Sequence, residues 1–110
     1  MYSEERKPTQ RELNKQELSN LWAKHRSHFY SLESKENADI LWAQVGNNFV
    51  GLGHWYGHYR FNEGYMITIP DDVTELNGKF WPTAQAAYEA LVEWANKNHL
   101  KIREQETREY

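Results

Sequence analysis

The sequence contains no cysteine. Disulfides, thiolate metal sites, iron–sulfur clusters and cysteine nucleophiles are therefore excluded. Small secreted domains usually carry disulfide staples, so a cytoplasmic protein is the expectation. Lys and Arg are also short: 13 against 16 Asp and Glu, for a net charge of -3 with neutral His. That balance argues against duplex DNA, whose sequence-independent binding relies on a basic surplus. Long apolar runs are absent too, and none approaches the roughly 20 residues that span a bilayer. The opening Met1-Tyr2-Ser3-Glu4-Glu5-Arg6-Lys7 has no apolar stretch after its charges, so it does not read as a signal peptide. No internal repeat is visible.

Several catalytic and cofactor signatures are missing. There is no nucleophile elbow, Gly-rich phosphate loop or paired-carboxylate motif. Gly51-Leu52-Gly53 lacks the third glycine and the following helix of a dinucleotide fingerprint. Asp71-Asp72 follows Pro70 and reads as a solvated turn, with no third ligand spacing for a cation. No cofactor or metal is expected.

What is present is aromatic. Five Trp, seven Tyr and four Phe make 15% of the 110 residues, in a chain only 39% hydrophobic. Each buries roughly 150–250 Å², so a few can supply a core in so short a chain. The length is one domain's worth. Residues 1–8 are expected as a flexible N-terminus, 9–102 as a single α+β domain and 103–110 as a charged tail.

Periodicity gives the elements. Thr9 and Glu12 have capping-box spacing, and Asn14 with Glu17 offers a second such start five residues on. Leu18, Leu21, Trp22, His25, Phe29 and Leu32 then form one helical stripe, which predicts a helix from about Gln10 to Leu32. After a polar link at Ser34–Asn37, residues 40–69 carry only Arg60 and Glu63 as charges, with seven aromatics. This predicts antiparallel strands at about Asp39–Val45, Phe49–Phe61 and Tyr65–Ile69, with turns at Gly46-Asn47-Asn48 and Asn62-Glu63-Gly64. A short Lys79–Trp81 segment is a candidate fourth strand. Thr83 is a natural N-cap before Ala84, Ala87, Tyr88, Leu91, Val92 and Ala95, and Asn98 closes that helix in the left-handed region. The expected fold is an N-terminal helix, a three- to four-stranded antiparallel meander and a C-terminal helix packed on the sheet, with one sheet face partly open. The junction from Lys79 through Trp81-Pro82-Thr83 to Ala87 resembles the strand-to-helix junction of small β–β–α modules in phage and bacterial proteins, but names no family.

The candidate binding surface is Gly53-His54-Trp55-Tyr56-Gly57-His58-Tyr59-Arg60-Phe61, with Trp42 beside it. Alternation puts Val50, Leu52, His54, Tyr56, His58 and Arg60 on one face, and Trp55, Tyr59 and Phe61 on the other with the glycines. The simpler reading makes Trp55, Tyr59 and Phe61 core and the His–Tyr–Arg row a solvated face. The functional reading makes His54, Trp55, Tyr56, His58, Tyr59, Arg60 and Trp42 a protein-binding hot spot, since Tyr, Trp and Arg dominate interface energetics. A protein-binding module follows as the leading expectation: a regulator or inhibitor from a phage or mobile element, or an immunity-type protein. Self-pairing into a homo-oligomer accompanies it. The alternative is a binder of a nucleotide or single-stranded nucleic acid, with aromatic stacking and His/Arg contacts to phosphate. A metal-independent nuclease using His54 and His58 is the enzymatic reading, disfavoured by the acidic balance. On a strand His54 and His58 are about 13 Å apart, too far to share an ion. His25 and His28 have helical i, i+3 spacing, but His25 belongs to the apolar stripe. Lys24-His25-Arg26-His28 reads as a solvated helix face, since Glu12 and Glu17 interleave with the basic residues.

Overall fold

The computed structural model describes residues 7–56, 64–70 and 74–105. Its elements are α1 (Gln10–Lys24), a single 3₁₀ turn (Arg26–His28), β1 (Ser31–Lys35), β2 (Ala38–Val45), β3 (Asn48–Trp55), β4 (Met66–Thr68) and α2 (Ala84–Lys97). The four strands form one antiparallel meander in sequence order, flanked in the chain by the two helices. This is the expected α+β architecture. None of the described helices is long and apolar enough to cross a membrane.

α1 starts where the capping box places it. The Thr9 hydroxyl accepts from Glu12 N, and Thr9 N donates to the Glu12 carboxylate, both at 3.1 Å. The helix does not continue to Leu32. It ends at His25 (φ -126°, ψ 51°), and Trp22 Nε1 donates to Phe29 O at 3.1 Å across the turn. The chain then becomes β1, where Leu32 pairs with Leu41. Phe29 and Leu32 meet the core from extended backbone instead, Phe29 from the segment just before the strand and Leu32 opposite Leu41.

Strand parity sets the layers. Leu41, Ala43 and Val45 of β2 face the helices together with Val50 and Leu52 of β3 and Ile67 of β4, all at most 1% exposed. Leu18 and Leu21 of α1 and Ala84, Ala87, Tyr88, Leu91, Trp94 and Ala95 of α2 close over them. Each fully buried Leu or Ile contributes roughly 1.5–3 kcal/mol relative to exposure. The helices are also tied through backbone chemistry: the Glu17 carboxylate accepts from Ala84 N, the first residue of α2. Thr83 caps that helix from its own chain, accepting from Ala86 N at 3.0 Å. At its far end Asn98 is the C-cap at φ -98°, and the left-handed residue is His99 (φ 56°), one position later than expected.

The chain stays attached beyond α2. Ile102 bridges Val45, Arg103 N donates to Gln44 O at 2.8 Å, and Gln105 N donates to Ser27 O at 2.6 Å. The expected fourth-strand segment near Trp81 is a single bridge to Tyr65, with reciprocal bonds of 2.8 and 2.9 Å.

Candidate functional site

The expected site divides between the two sides of the sheet. His58, Tyr59 and Arg60 lie outside the described residues. His54 faces the helices. It follows Val50 and Leu52 in parity, is 7% exposed and pairs with Asp39 across the strands. The solvated face expected for it is thus the core face, because the two apolar residues before it fix the inward parity. Trp55 has the opposite parity and is half-buried, so it is not the core anchor that the simpler reading made it.

Below the sheet, His54 belongs to a polar cluster roofed by α1. Its ring stacks on Tyr56 at 4.9 Å and meets Tyr65 edge-on at 5.2 Å. Tyr56 donates to Asp39 Oδ2 at 3.0 Å, and Ser34 donates to Asp39 Oδ1 at 2.7 Å. Arg11 reaches in from α1, with Nε 3.2 Å from Asp39 Oδ2 and its guanidinium carbon 4.8 Å above the Tyr56 ring. The same guanidinium holds the β1–β2 turn, donating to Glu36 O at 2.6 Å and to Lys35 O. Burial alone would raise the Asp39 carboxyl. The hydrogen bonds from Ser34, Arg11 and Tyr56, and the charge of Arg11, outweigh that and hold it below the usual carboxylate range. Burial pushes the Tyr56 phenol up to about 12, with the Asp39 charge acting in the same direction. The strong donors of the cluster are aimed at Asp39, which ties α1 to the sheet, while the buried His54 Nδ1 has no hydrogen-bond partner.

Burial also depresses the His54 and His25 imidazoles below the ordinary value of 6.5; Lys24 and His28 add to the effect at His25. As pH falls below 6.5 the unfolded chain takes up their protons before the fold does. Stability is therefore full above that value and falls as pH drops through the window between the unfolded and folded values. We expect the urea midpoint to decrease from about pH 7.5 to about pH 5.5, and the double variant His25→Gln, His54→Gln to flatten that decrease. An unchanged slope in the double variant would assign the acid sensitivity elsewhere.

His25 and His28 share Tyr88 as a partner. His25 stacks on Tyr88 at 4.0 Å, and His28 Nδ1 lies 2.7 Å from the Tyr88 hydroxyl. Among the described residues, no three His, Cys, Asp or Glu side chains converge on a point where a metal could sit.

On the helix-free side, the sheet carries an aromatic groove. Trp42, opposite Gly51, lays its indole over that glycine: a Cβ there would stand 3.1 Å from Trp42 Cζ3. Trp42 Nε1 donates to Glu33 Oε1 at 2.9 Å, which fixes the indole across β1. Phe49, at the start of β3, and Tyr30, just before β1, are 52% and 41% exposed. Their rings meet edge-to-face at 6.3 Å and 71°. Together with Ser31, Leu32 and Pro70 these residues line an open groove of about 660 Å³. Of the expected binding residues that are described, only Trp42 lines it. Phe49 was legible from parity, since it alternates away from Val50 and Leu52 directly after a turn. Tyr30 was not, because the expected helix covered it. No protein family, curated protein or solved structure matches the chain.

Proposed function

We propose that this chain is a protein-binding module that engages its partner through the helix-free face of the sheet, at Tyr30, Trp42 and Phe49. The observation that carries the reading is the exposure of Phe49 and Tyr30, at 52% and 41%, as an edge-to-face pair beside the rigid Trp42. Large rings cost little side-chain entropy to immobilise and desolvate well, so they dominate binding energy where they cluster. The β1 edge beside them adds backbone groups: no described strand pairs with its outer side. The nucleotide reading relied in part on His54 meeting phosphate, and that imidazole is 7% exposed. A small acidic chain working this way would act as a regulator, inhibitor or immunity-type protein, by occupying a partner's surface.

The test is site-specific photo-crosslinking in cells, with benzoylphenylalanine placed at Phe49 and, as a control, at Lys15 on the exposed side of α1. We expect a discrete heavier adduct from position 49 and none from position 15. An adduct of twice the chain mass identifies a second copy as the partner. Equal or absent labelling at the two positions would sink the proposal.

A further inference from the structure

The groove has the ingredients of a second cation site, and the molecule itself supplies the template. Beneath the sheet, Arg11 is held by an aromatic face and a carboxylate, besides the carbonyls of the β1–β2 turn: its guanidinium carbon is 4.8 Å above Tyr56 and its Nε 3.2 Å from Asp39. On the opposite side, Tyr30, Trp42 and Phe49 present three rings, and Glu33 is the only charged residue among the described lining. Trp42 occupies just one oxygen of Glu33, at 2.9 Å, which holds the carboxylate at the edge of the indole. The Tyr30 phenol is raised first by its own burial and then by the Glu33 charge, so that charge is felt across the groove. Among the described residues, the cation beside this carboxylate is Lys35, two residues along β1, whose Nζ lies 3.7 Å from Glu33 with both side chains about half exposed. Such an exposed pair is worth little and yields readily to a better-shaped partner.

Resting on the protein-binding reading above, we propose that this groove receives an arginine side chain of the partner protein, its guanidinium lying among the rings of Tyr30, Trp42 and Phe49 and pairing with the Glu33 carboxylate. Arginine suits the site better than lysine. Its planar, weakly hydrated guanidinium stacks on aromatic faces while its N–H fork meets a carboxylate. The chain's net charge of -3 favours the approach of a basic segment.

The probes are the blocked tripeptide acetyl-Gly-Arg-Gly-amide, its citrulline analogue, which keeps the shape without the charge, and tetramethylammonium. The readout is the Trp42 indole N–H resonance, identified by its loss in Trp42→Phe. We expect saturable shifts with the arginine peptide at millimolar concentration and none with citrulline. Glu33→Gln keeps an oxygen acceptor for Trp42 and should weaken binding by about fivefold. Lys35→Gln removes the competing ammonium and should tighten it by about twofold. A groove that only packs apolar groups moves with neither variant. Equal binding of citrulline, or indifference to Glu33→Gln, overturns the arginine assignment while leaving the crosslinking result at Phe49 intact. Saturation by tetramethylammonium at far lower concentration than the peptide would assign the site to a free quaternary amine and overturn the partner-arginine reading. Failure of crosslinking with a positive arginine titration would instead remove the protein-binding reading.

Discussion

Asp39→Ala is expected to lower the unfolding free energy by about 2 kcal/mol, less than breaking a fully buried ion pair costs, because two of the carboxylate's three partners, Arg11 and Ser34, reach water. Asp39 is fully buried and accepts from Ser34 at 2.7 Å, Tyr56 at 3.0 Å and Arg11 at 3.2 Å. Alanine leaves two hydroxyls and a guanidinium without their acceptor. Tyr56, half-buried, bears most of the loss, because an unsatisfied buried group costs roughly 1–3 kcal/mol, whereas Ser34 is exposed and can turn to water. Arg11 bears less: its side chain is 38% exposed and can turn to water. Asp39→Asn retains an oxygen acceptor and should lose about half as much. Urea denaturation at neutral pH measures both. Arg11 also bridges α1 to the β1–β2 turn through Glu36 O, so Asp39→Ala should raise amide exchange first in α1 and that turn. A loss below about 1 kcal/mol would mean the cluster is solvated and does not hold the helix. The acid limb carries the same signature. The Asp39 carboxyl is held below its ordinary 3.8, so its contribution is present above that value and disappears as pH falls through the folded value.

That cluster also marks where sequence reasoning stops. The two helix starts were legible because a cap is a local event: Thr9 with Glu12, and Thr83 before Ala84, need only neighbours in the chain. The β2–β3 hairpin was legible for the same reason, since Gly46 at φ 60° occupies the first position of a two-residue turn. The end of α1 was not. Leu18 through Leu32 keeps a helical stripe on paper, and only the pairing of Leu32 with Leu41 selects strand. His54 shows a different failure. Alternation places it correctly with Val50 and Leu52, yet aromatic content points to the other parity as core. The observed core instead uses aliphatic Leu41, Val50, Leu52 and Ile67 beneath the helices. His54 packs its ring against Tyr56 and Tyr65 and pairs across the strands with Asp39, while its buried Nδ1 has no hydrogen-bond partner. The binding groove was half visible: Trp42 stands out in the sequence, but Tyr30 and Glu33 join it only once residues 31–35 are a strand.

Gly53→Ala should be as damaging as the loss of Asp39, for a reason with no chemistry in it. Gly53 pairs with Ile40 across β2 and β3. A methyl group built on it would lie 2.2 Å from the carbonyl oxygen of Asp39 and 2.9 Å from Ile40 Cα. Both are backbone atoms of a paired strand and cannot swing aside as a side-chain tip would. The strands must part locally, which costs about 2–3 kcal/mol in a well-packed core. The disturbance falls between Asp39 and His54, so the polar cluster loses its geometry along with the ladder. Gly78→Ala is the comparison. Gly78 has φ 79°, and a methyl group added there would meet nothing within 4 Å, so its cost is backbone strain alone, about 1 kcal/mol. Thermal unfolding of the two variants should rank Gly53→Ala well below Gly78→Ala. The inner cluster should suffer before the outer groove: the Trp42 indole N–H should keep its hydrogen-bonded shift in Gly53→Ala, since Glu33 holds it from β1. Equal losses in the two variants would show that β3 can shift away from β2 without penalty. The close approach of the strands at Gly53 would then not be what positions Asp39 under α1.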